Sequence, residues 1–388
     1  MNEVAMNTTA APKLPRLQSL DALRGFDMFW IMSGEGLVHA LAKASGWGPA
    51  VWMSNQLHHT DWNGITFYDM IFPLFLFIAG VSMPYSFGKQ LAVHQVLEAW
   101  QLPGTVKWKV YRSIIRRTLI LLLLGMVVNG LLRFEGWEQT RFASVLGRIG
   151  LAWCLAAFIY LNNGIKGQLL WFAGLLLGYW AVMMWVPVPG YGAGVLTMEG
   201  SLESYIDRLL LPGKLHDGVH DPEGILSTLP AVSSALLGVF AGQLLQWQNR
   251  YTPARKGVLL VAAGIVLILL GSWWNLAFPI NKRLWTSSFV LYVGGFSLLF
   301  LAVFYLTIDV AGYRKWATPL VWIGTNSITI YMAAEGLINF GHTSRYLFGG
   351  VIQYAPANWQ PVWYAAGIVV VQLAFLYFLY RNKWFLKI

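Results

Sequence analysis

Apolar runs of about twenty residues, separated by short polar or basic stretches, recur along the whole 388-residue chain. A helix of that length matches the hydrocarbon thickness of a bilayer, so the pattern predicts an all-α, polytopic membrane protein. About ten transmembrane helices are predicted, near residues 20–42, 64–87, 114–133, 143–161, 168–187, 226–247, 257–278, 285–308, 317–340 and 361–380. The longest connection between the runs is 188–225. Within it, Ser201 to Leu211 predicts a short amphipathic helix that lies in the interface plane and stops at Pro212-Gly213. Its apolar face would carry Leu202, Tyr205, Ile206, Leu209 and Leu210. No internal repeat stands out, so residues 1–388 are read as one transmembrane domain, with 1–18 a flexible polar N-terminus that lacks the order of a signal peptide.

Composition agrees with this picture. The chain is 57% hydrophobic and 11% charged, against about 25% charged residues in soluble domains. The net charge of +10 does not point to nucleic acid, because the Lys and Arg residues lie between the apolar runs. Two-thirds of these 27 residues fall on the side that also holds both termini. The positive-inside rule therefore predicts both termini in the cytoplasm and places His58 and His59 on the outer, periplasm-like side with the 188–225 loop. The one cysteine, Cys154, lies inside an apolar run and excludes both an intramolecular disulfide and a thiolate metal cluster.

Charged residues inside apolar runs are costly, and each is a candidate for function. The first run holds Arg24, Asp27 and Glu35. Arg24 is placed to pair with Asp27 or, equally well, with Asp21. Glu35 lies eight residues beyond Asp27, about 12 Å along a helix, and needs a partner from another span or a watery pocket, or else is protonated. The stretch His58-His59-Thr60-Asp61-Trp62-Asn63-Gly64 leads into the second run, which carries Asp69. If helical throughout, the ten residues from His59 to Asp69 span about 15 Å. No direct pair between them is then expected, and Asp69 would orient another polar group or hold Trp62 and Asn63. Arg148, Asn326 and Glu335 are also embedded, and Gly324-Thr325-Asn326-Ser327 reads as a polar break that permits close helix approach or lines a cavity. Lys107, Lys109, Arg112, Arg116 and Arg117 form a cytoplasmic basic cluster suited to lipid head groups or to a phosphate-bearing cosubstrate. His216 and His220 are four apart, but Gly218 and Gly224 argue against a helix there. That segment is read as a loop lining or covering a pocket, and no metal site is predicted.

Two motifs carry a family resemblance. Ser19-Leu20-Asp21-Ala22-Leu23-Arg24-Gly25-Phe26-Asp27, followed by His59-x-x-Trp62-Asn63-Gly64-x-Thr66-x-x-Asp69-x-Ile71-Phe72-Pro73, resembles the heparan-α-glucosaminide N-acetyltransferase family of transmembrane acyltransferases. The bacterial members linked to N-acetylglucosamine use are the nearer likeness. Asp221-Pro222-Glu223-Gly224, Trp285-Thr286-Ser287-Ser288 and Asn326-Ser327 look like later landmarks of the same family, so the likeness runs from about residue 17 to the last span. It implies transfer of the acetyl group of cytoplasmic acetyl-CoA to an amino sugar across the membrane, with His59 as the active-site histidine and Asp69 as the intramembrane acid. Eukaryotic members carry an asparagine where this chain has Glu35, and their large lumenal N-terminal region has no counterpart here. A small amino sugar or cell-wall fragment is therefore the expected acceptor, rather than heparan sulfate.

On this resemblance His59 and Asp69 are expected catalytic residues, and Glu35, which departs from the family pattern, joins them by its embedded position as the residue expected to orient His59 or the acceptor. Asp27, Trp62, Asn63, Arg148 and Asn326 are expected at the acceptor, with Asn63 or Asn326 as oxyanion donors. Arg24, Arg112 and Arg116 are expected at acetyl-CoA. A bacterial inner-membrane location and contacts with membrane lipids are also expected, and a homodimer follows by family analogy. Direct transfer and an acetyl-histidine relay both fit. So do two rivals, a proton-coupled amino-sugar transporter and a membrane O-acyltransferase acting on a glycan.

Overall fold

The computed structural model describes residues 17–94, 96, 98–247 and 250–386. Most of the N-terminal segment expected to be flexible, residues 1–16, lies outside the described residues. Fifteen α-helices are present among the described residues, with no strand and two isolated bridges, Arg141 to Gly213 and Val188 to Gly192. In chain order they are α1 (Gln18–Phe29), α2 (Glu35–Ser45), α3 (Gly48–Gln56), α4 (Tyr68–Val93), α5 (Gly104–Val128), α6 (Val145–Asn162), α7 (Ile165–Trp185) and α8 (Leu202–Leu210). Then come α9 (Thr228–Gln246), α10 (Pro253–Trp274), α11 (Ser287–Phe304), α12 (Thr318–Thr325), α13 (Ser327–Met332), α14 (Phe340–Ile352) and α15 (Gln360–Arg381).

Seven of these elements are long and apolar enough to cross a membrane: α4, α6, α7, α9, α10, α15, and α11 with its π-helical extension to Val310. The chain is thus a helical membrane protein, with seven such helices among the described residues where ten spans were expected. The other three expected spans fall on interrupted or charged helices. A π-helical turn, Trp30–Gly34, separates α1 from α2. The Asn326 break separates α12 from α13, which runs into a second π turn, Ala333–Leu337. The middle of α5 carries Arg112, Arg116 and Arg117. Such interruptions shift the register of the following turns, and they cluster where function needs polar groups inside a helix bundle.

Helix α9 is central, with 78% of its most apolar window buried, whereas α7 and α10 are 22% buried and present leucines outward. It packs along α4, and the main core gathers Leu76, Met83, Ala156, Ala235, Phe289 and Trp285 from α4, α6, α9 and the start of α11. Lipid does not squeeze helices together, so close packing of small residues carries much of the association. The α1–α12 crossing shows this in one contact: a Cβ on Gly324 would lie 1.8 Å from the Asp21 carbonyl oxygen, and one on Gly25 1.8 Å from the Leu320 oxygen. The polar break at 324–327 therefore both admits close approach and, through Asn326, faces a cavity.

The short helix α8 begins as its sequence suggests, with the Ser201 hydroxyl accepting from Ser204 N at 3.3 Å. Its burial differs from the expected pattern. Glu203, Ser204 and Asp207 are fully buried, while Leu209 and Leu210 are each 63% exposed. The polar residues turn inward because they bond the segment 220–227, as described below.

The α1–α12 contact gives a first prediction. Gly324→Ala places a methyl group against backbone that has no room to yield, at a cost of about 1–3 kcal/mol or more. Gly350→Ala meets open space and should change stability by less than about 1 kcal/mol, in the stabilising direction. Unfolding in a single detergent should show the first variant clearly weakened and the second not.

Candidate active site

The site begins at the end of α3. Leu57 is buried, and His58 stacks on His39 of α2 with ring centroids 4.3 Å apart. His39 Nδ1 in turn lies 2.7 Å from Ser54 Oγ. From His59 to Phe67 the chain is not helical. It turns through Gly64, whose φ of +102° few other residues tolerate, and returns to start α4 at Tyr68. This return overturns the straight-helix expectation for His59 and Asp69. Asp69, in the first turn of α4, receives His59 Nδ1 at 2.7 Å on one carboxylate oxygen. Its other oxygen accepts from Thr60 N at 3.2 Å, Thr60 Oγ1 at 3.0 Å, Thr66 N at 3.1 Å and Thr66 Oγ1 at 3.1 Å. The loop is thus wrapped around one carboxylate at a helix N-terminus, where negative charge is favoured.

That geometry has a chemical consequence. A carboxylate only accepts, so it selects the tautomer with the proton on Nδ1 and leaves Nε2 as the basic nitrogen. His59 is 48% exposed at its side chain while Asp69 is 1% exposed, so the ring faces open space and its anchor does not. The space is a cavity of about 300 Å³. Its walls include His59, Thr60, Tyr68 and Asp69, then Arg141, His216 and Glu223, and finally Lys282, Tyr331 and Glu335.

Each wall is held by its own bonds. Arg141 grips Asp221 through Nε at 2.8 Å and through a terminal nitrogen at 2.6 Å, and it also contacts Glu223. Burial works against the Arg141 charge, but the Asp221 and Glu223 carboxylates prevail and raise its pKa. Asp221, buried as it is, is held below the usual carboxylate range by the Arg141 guanidinium and by the backbone N–H groups of Glu223 and His216. Lys282 sits with Nζ 3.0 Å from His59 Nδ1, 3.3 Å from Nε2 and 3.5 Å from Asp69 Oδ1. Burial lowers its pKa, and Asp69 opposes that shift. The Tyr68 ring lies 4.7 Å from the His59 ring.

Of the residues expected at the site, His59 and Asp69 meet directly, whereas Glu35 is not among the residues that line this cavity. Four others lie away from this cavity. Trp62 donates to Leu196 O at 2.8 Å and stacks edge-on with His220. Asn63 accepts from Asn281 Nδ2 at 3.2 Å, tying two loops together. Arg148 is buried, contacts Gly224 O and Ser227, and stacks over Trp285 at 5.0 Å. Asp27 is fully buried, and neither of its carboxylate oxygens has a hydrogen-bond partner among the described residues.

Asn326 and Arg24 instead line a second cavity, also about 300 Å³. The two cavities share three helices. On α4, Ile71 and Phe72 line the first, and Phe75, Ala79 and Ser82 the second. On α6, Val145 gives way to Leu146, Ile149 and Trp153; on α13, Tyr331 gives way to Ile328. Successive turns of the same helices thus form both walls, so the cavities are stacked end to end. Arg24 contacts Asp21 at 3.4 Å and Ser82 Oγ at 3.0 Å. The Asn326 amide has no hydrogen-bond partner among the described residues. Arg117, stacked on Trp153 at 4.4 Å, joins the second cavity to an open groove on α5 that carries Lys109, Arg112 and Arg116.

Lys282, Arg141, Glu223, Tyr68 and Glu335 were missed as site residues. Lys282 and Arg141 read as topology charges between apolar runs, and no local spacing connects either to His59. The loop reading of 216–224 did point to the pocket, since His216, Pro222 and Glu223 line it.

Beneath that loop lies a buried polar network. His220 Nδ1 is 2.9 Å from Glu203 Oε2 and 2.9 Å from Ser204 Oγ. Ser227 donates to Glu203 at 2.9 Å, and Asp207 accepts from Ile225 N at 2.9 Å. The network fixes the turn that presents Glu223 to the cavity.

Comparison with known proteins adds an independent finding. A family model described as a domain of unknown function (DUF5009) matches residues 16–129, which contain the His59–Asp69 loop. The chain is 29% identical over 336 residues to the heparan-alpha-glucosaminide N-acetyltransferase of Mus musculus, covering 73% of this chain and 49% of the mouse protein. It is 27% identical over 383 residues to the Homo sapiens protein of the same name, covering 84% and 54%. The chain spans about half the length of these two relatives.

The buried network makes stability depend on pH. Burial, reinforced by the adjacent Glu203 carboxylate, pushes Asp207 up to about 8. The unfolded value is about 4, so between the two the folded chain holds a proton that the unfolded chain releases. The linked stability is complete below about pH 4 and declines until about pH 8. Asp207→Asn removes that titration. Its melting temperature relative to the parent should rise steadily from about pH 5 to about pH 8. A difference that stays constant over this range would mean that Asp207 is ionised throughout.

Proposed function

Because its similarity supports assigning the chain to the heparan-alpha-glucosaminide N-acetyltransferase family, we propose that it is a membrane-embedded N-acetyltransferase. It moves the acetyl group of cytoplasmic acetyl-CoA to the amine of a glucosamine-type sugar on the periplasmic side. The observation that carries this reading is the His59–Asp69 pair opening on a cavity whose three helices continue into a second, basic cavity. The reading retains ten spans with cytoplasmic termini, in a bacterial inner membrane, with lipid contacts and a homodimer as expectations of the family.

The chemistry follows from the layout. The CoA phosphates suit Lys109, Arg112 and Arg116 in the α5 groove, with Arg117 and Arg24 deeper in. The pantetheine arm carries amides, and Asn326 offers an unpartnered amide along its path. The acceptor amine attacks only when unprotonated, and Nε2 of His59 is the base that takes its proton. Asp69 stabilises the imidazolium that results, as a buried carboxylate does behind other histidine bases. Glu223 and Glu335 supply acceptors for sugar hydroxyls or an incoming ammonium. Attack by the amine on the thioester, or first by His59 itself, satisfies the same geometry.

Purified protein given labelled acetyl-CoA and glucosamine should form an alkali-stable N-acetyl product. His59→Ala and Asp69→Asn should each lower transfer by about 10²–10⁴-fold, with acetyl-CoA binding retained in His59→Ala. Undiminished transfer in His59→Ala would refute the role of that residue. Uptake of labelled amino sugar into proteoliposomes without acetyl-CoA would favour a carrier, and an alkali-labile product an O-acyltransferase.

A further inference from the structure

Within the acetyl-transfer reading above, on which this inference rests, we propose that Lys282 is the oxyanion donor: its ammonium stabilises the negative oxygen that forms on the thioester carbonyl beside His59. Any acyl transfer through His59 needs such a donor, because the tetrahedral intermediate places a full negative charge on oxygen. The two asparagines suggested by sequence do not stand there. Asn63 is bonded to Asn281, and Asn326 lines the other cavity.

Three cations line the His59 cavity among the described residues: Arg141, Lys282 and Arg283. Arg141 is engaged by Asp221 and Glu223, and Arg283 by Asp217 at 2.7 Å. The contacts of Lys282 Nζ are different. They go to the two ring nitrogens of His59 and, at 3.5 Å, to Asp69 Oδ1, which His59 already occupies at 2.7 Å. Nδ1 bears the proton directed at Asp69, so the exchangeable partner of the ammonium is Nε2. A substrate bound at Nε2 displaces that contact and brings its acyl oxygen within reach of the same Nζ.

The turn that bears Lys282 is built to hold it there. Asn281, fully buried, accepts from Leu284 N at 2.9 Å, and its backbone N–H donates to Thr286 Oγ1 at 3.1 Å. Trp285 adopts φ +51°, a conformation L-residues rarely take, and its buried indole donates to Ser234 Oγ at 3.2 Å. Gly64 N donates to Ile280 O at 2.9 Å, joining this turn to the His59 loop. Strain and stitching converge on one residue that faces the base.

The acceptor nitrogen bonds to the thioester carbon as its proton passes to His59 Nε2, and the carbonyl pair moves onto oxygen beside Lys282. Collapse re-forms the carbonyl and breaks the carbon–sulfur bond. The departing thiolate takes the proton from His59, giving the amide and free CoA thiol. If His59 is acylated first, the same oxygen meets the same ammonium twice.

The test compares Lys282→Met, which keeps the stem and removes the donor, with Lys282→Arg and with Lys282→Cys carried in a Cys154→Ala background. Treatment of the cysteine variant with 2-bromoethylamine restores an ammonium at nearly the original reach, and the native chain's single cysteine makes the reaction selective. Lys282→Met should lower kcat by about 10²–10³-fold with KM for acetyl-CoA and melting temperature little changed, and aminoethylation should recover most of the loss. A kcat within about threefold of the parent in Lys282→Met overturns the proposal, as does a cysteine variant that gains nothing from aminoethylation although modified and folded. The aminoethylation comparison is made within one preparation, so it decides the matter even where Lys282→Met does not fold. If the parent enzyme itself yields no N-acetyl product, the transferase reading fails, which is a separate outcome.

Discussion

One carboxylate organises the candidate site. Asp69 collects five hydrogen bonds from a loop of eight residues and, in doing so, converts an interfacial turn into a rigid cradle for His59. An uncompensated charge at that depth would be expensive. Here the threonine donors and the N-terminus of α4 supply the compensation, and the imidazole is added to an anion already solvated by protein. Without the acid, Thr60, Thr66 and His59 would each lose their common partner, so the loop and the base stand or fall together.

Two other loops are fastened to this cradle. The 279–286 turn is joined through Gly64–Ile280 and Asn63–Asn281, and it is backed by Arg148 stacked on Trp285. Arg148 also contacts Gly224 and Ser227, so it links that turn to the segment presenting Glu223. Residues expected to bind substrate, Asn63 and Arg148 among them, instead hold the residues that line the cavity. Buried polar groups that are bonded to one another give a site its shape, and here they align three loops that are distant in sequence.

Local signals in the sequence were sufficient for some of this and powerless for the rest. The apolar runs gave a helical membrane protein, and the His-x-x-Trp-Asn-Gly spacing singled out His59. The helical periodicity that served the spans then misled at 59–69, because a rise of about 1.5 Å per residue applies only where the chain is helical, and Gly64 reverses it. Amphipathicity misled at α8 for a related reason. Glu203 and Asp207 look solvent-facing until the partners 17 to 24 residues away, His220, Ile225 and Ser227, are in place. Lys282 could not have been found this way, since its relation to His59 spans 223 residues and leaves no local pattern.

The two cavities are stacked along the same three helices, α4, α6 and α13. In the transferase reading proposed above, a thioester and an amine approach from opposite ends of these cavities and meet without a continuous aqueous path. Phe72 and Phe75, one on each side of the division between the cavities, are apolar and sit on the same helix. The polar groups are confined to the two ends: the basic residues and Asn326 at one, and His59, Glu223 and Lys282 at the other. A long, flexible, weakly polar arm can cross such an apolar division, whereas hydrated ions cannot do so cheaply. A carrier needs its substrate site to open to each side in turn. A transferase needs only the arm to cross, so a fixed base at one end and fixed cations at the other are the arrangement that suits it.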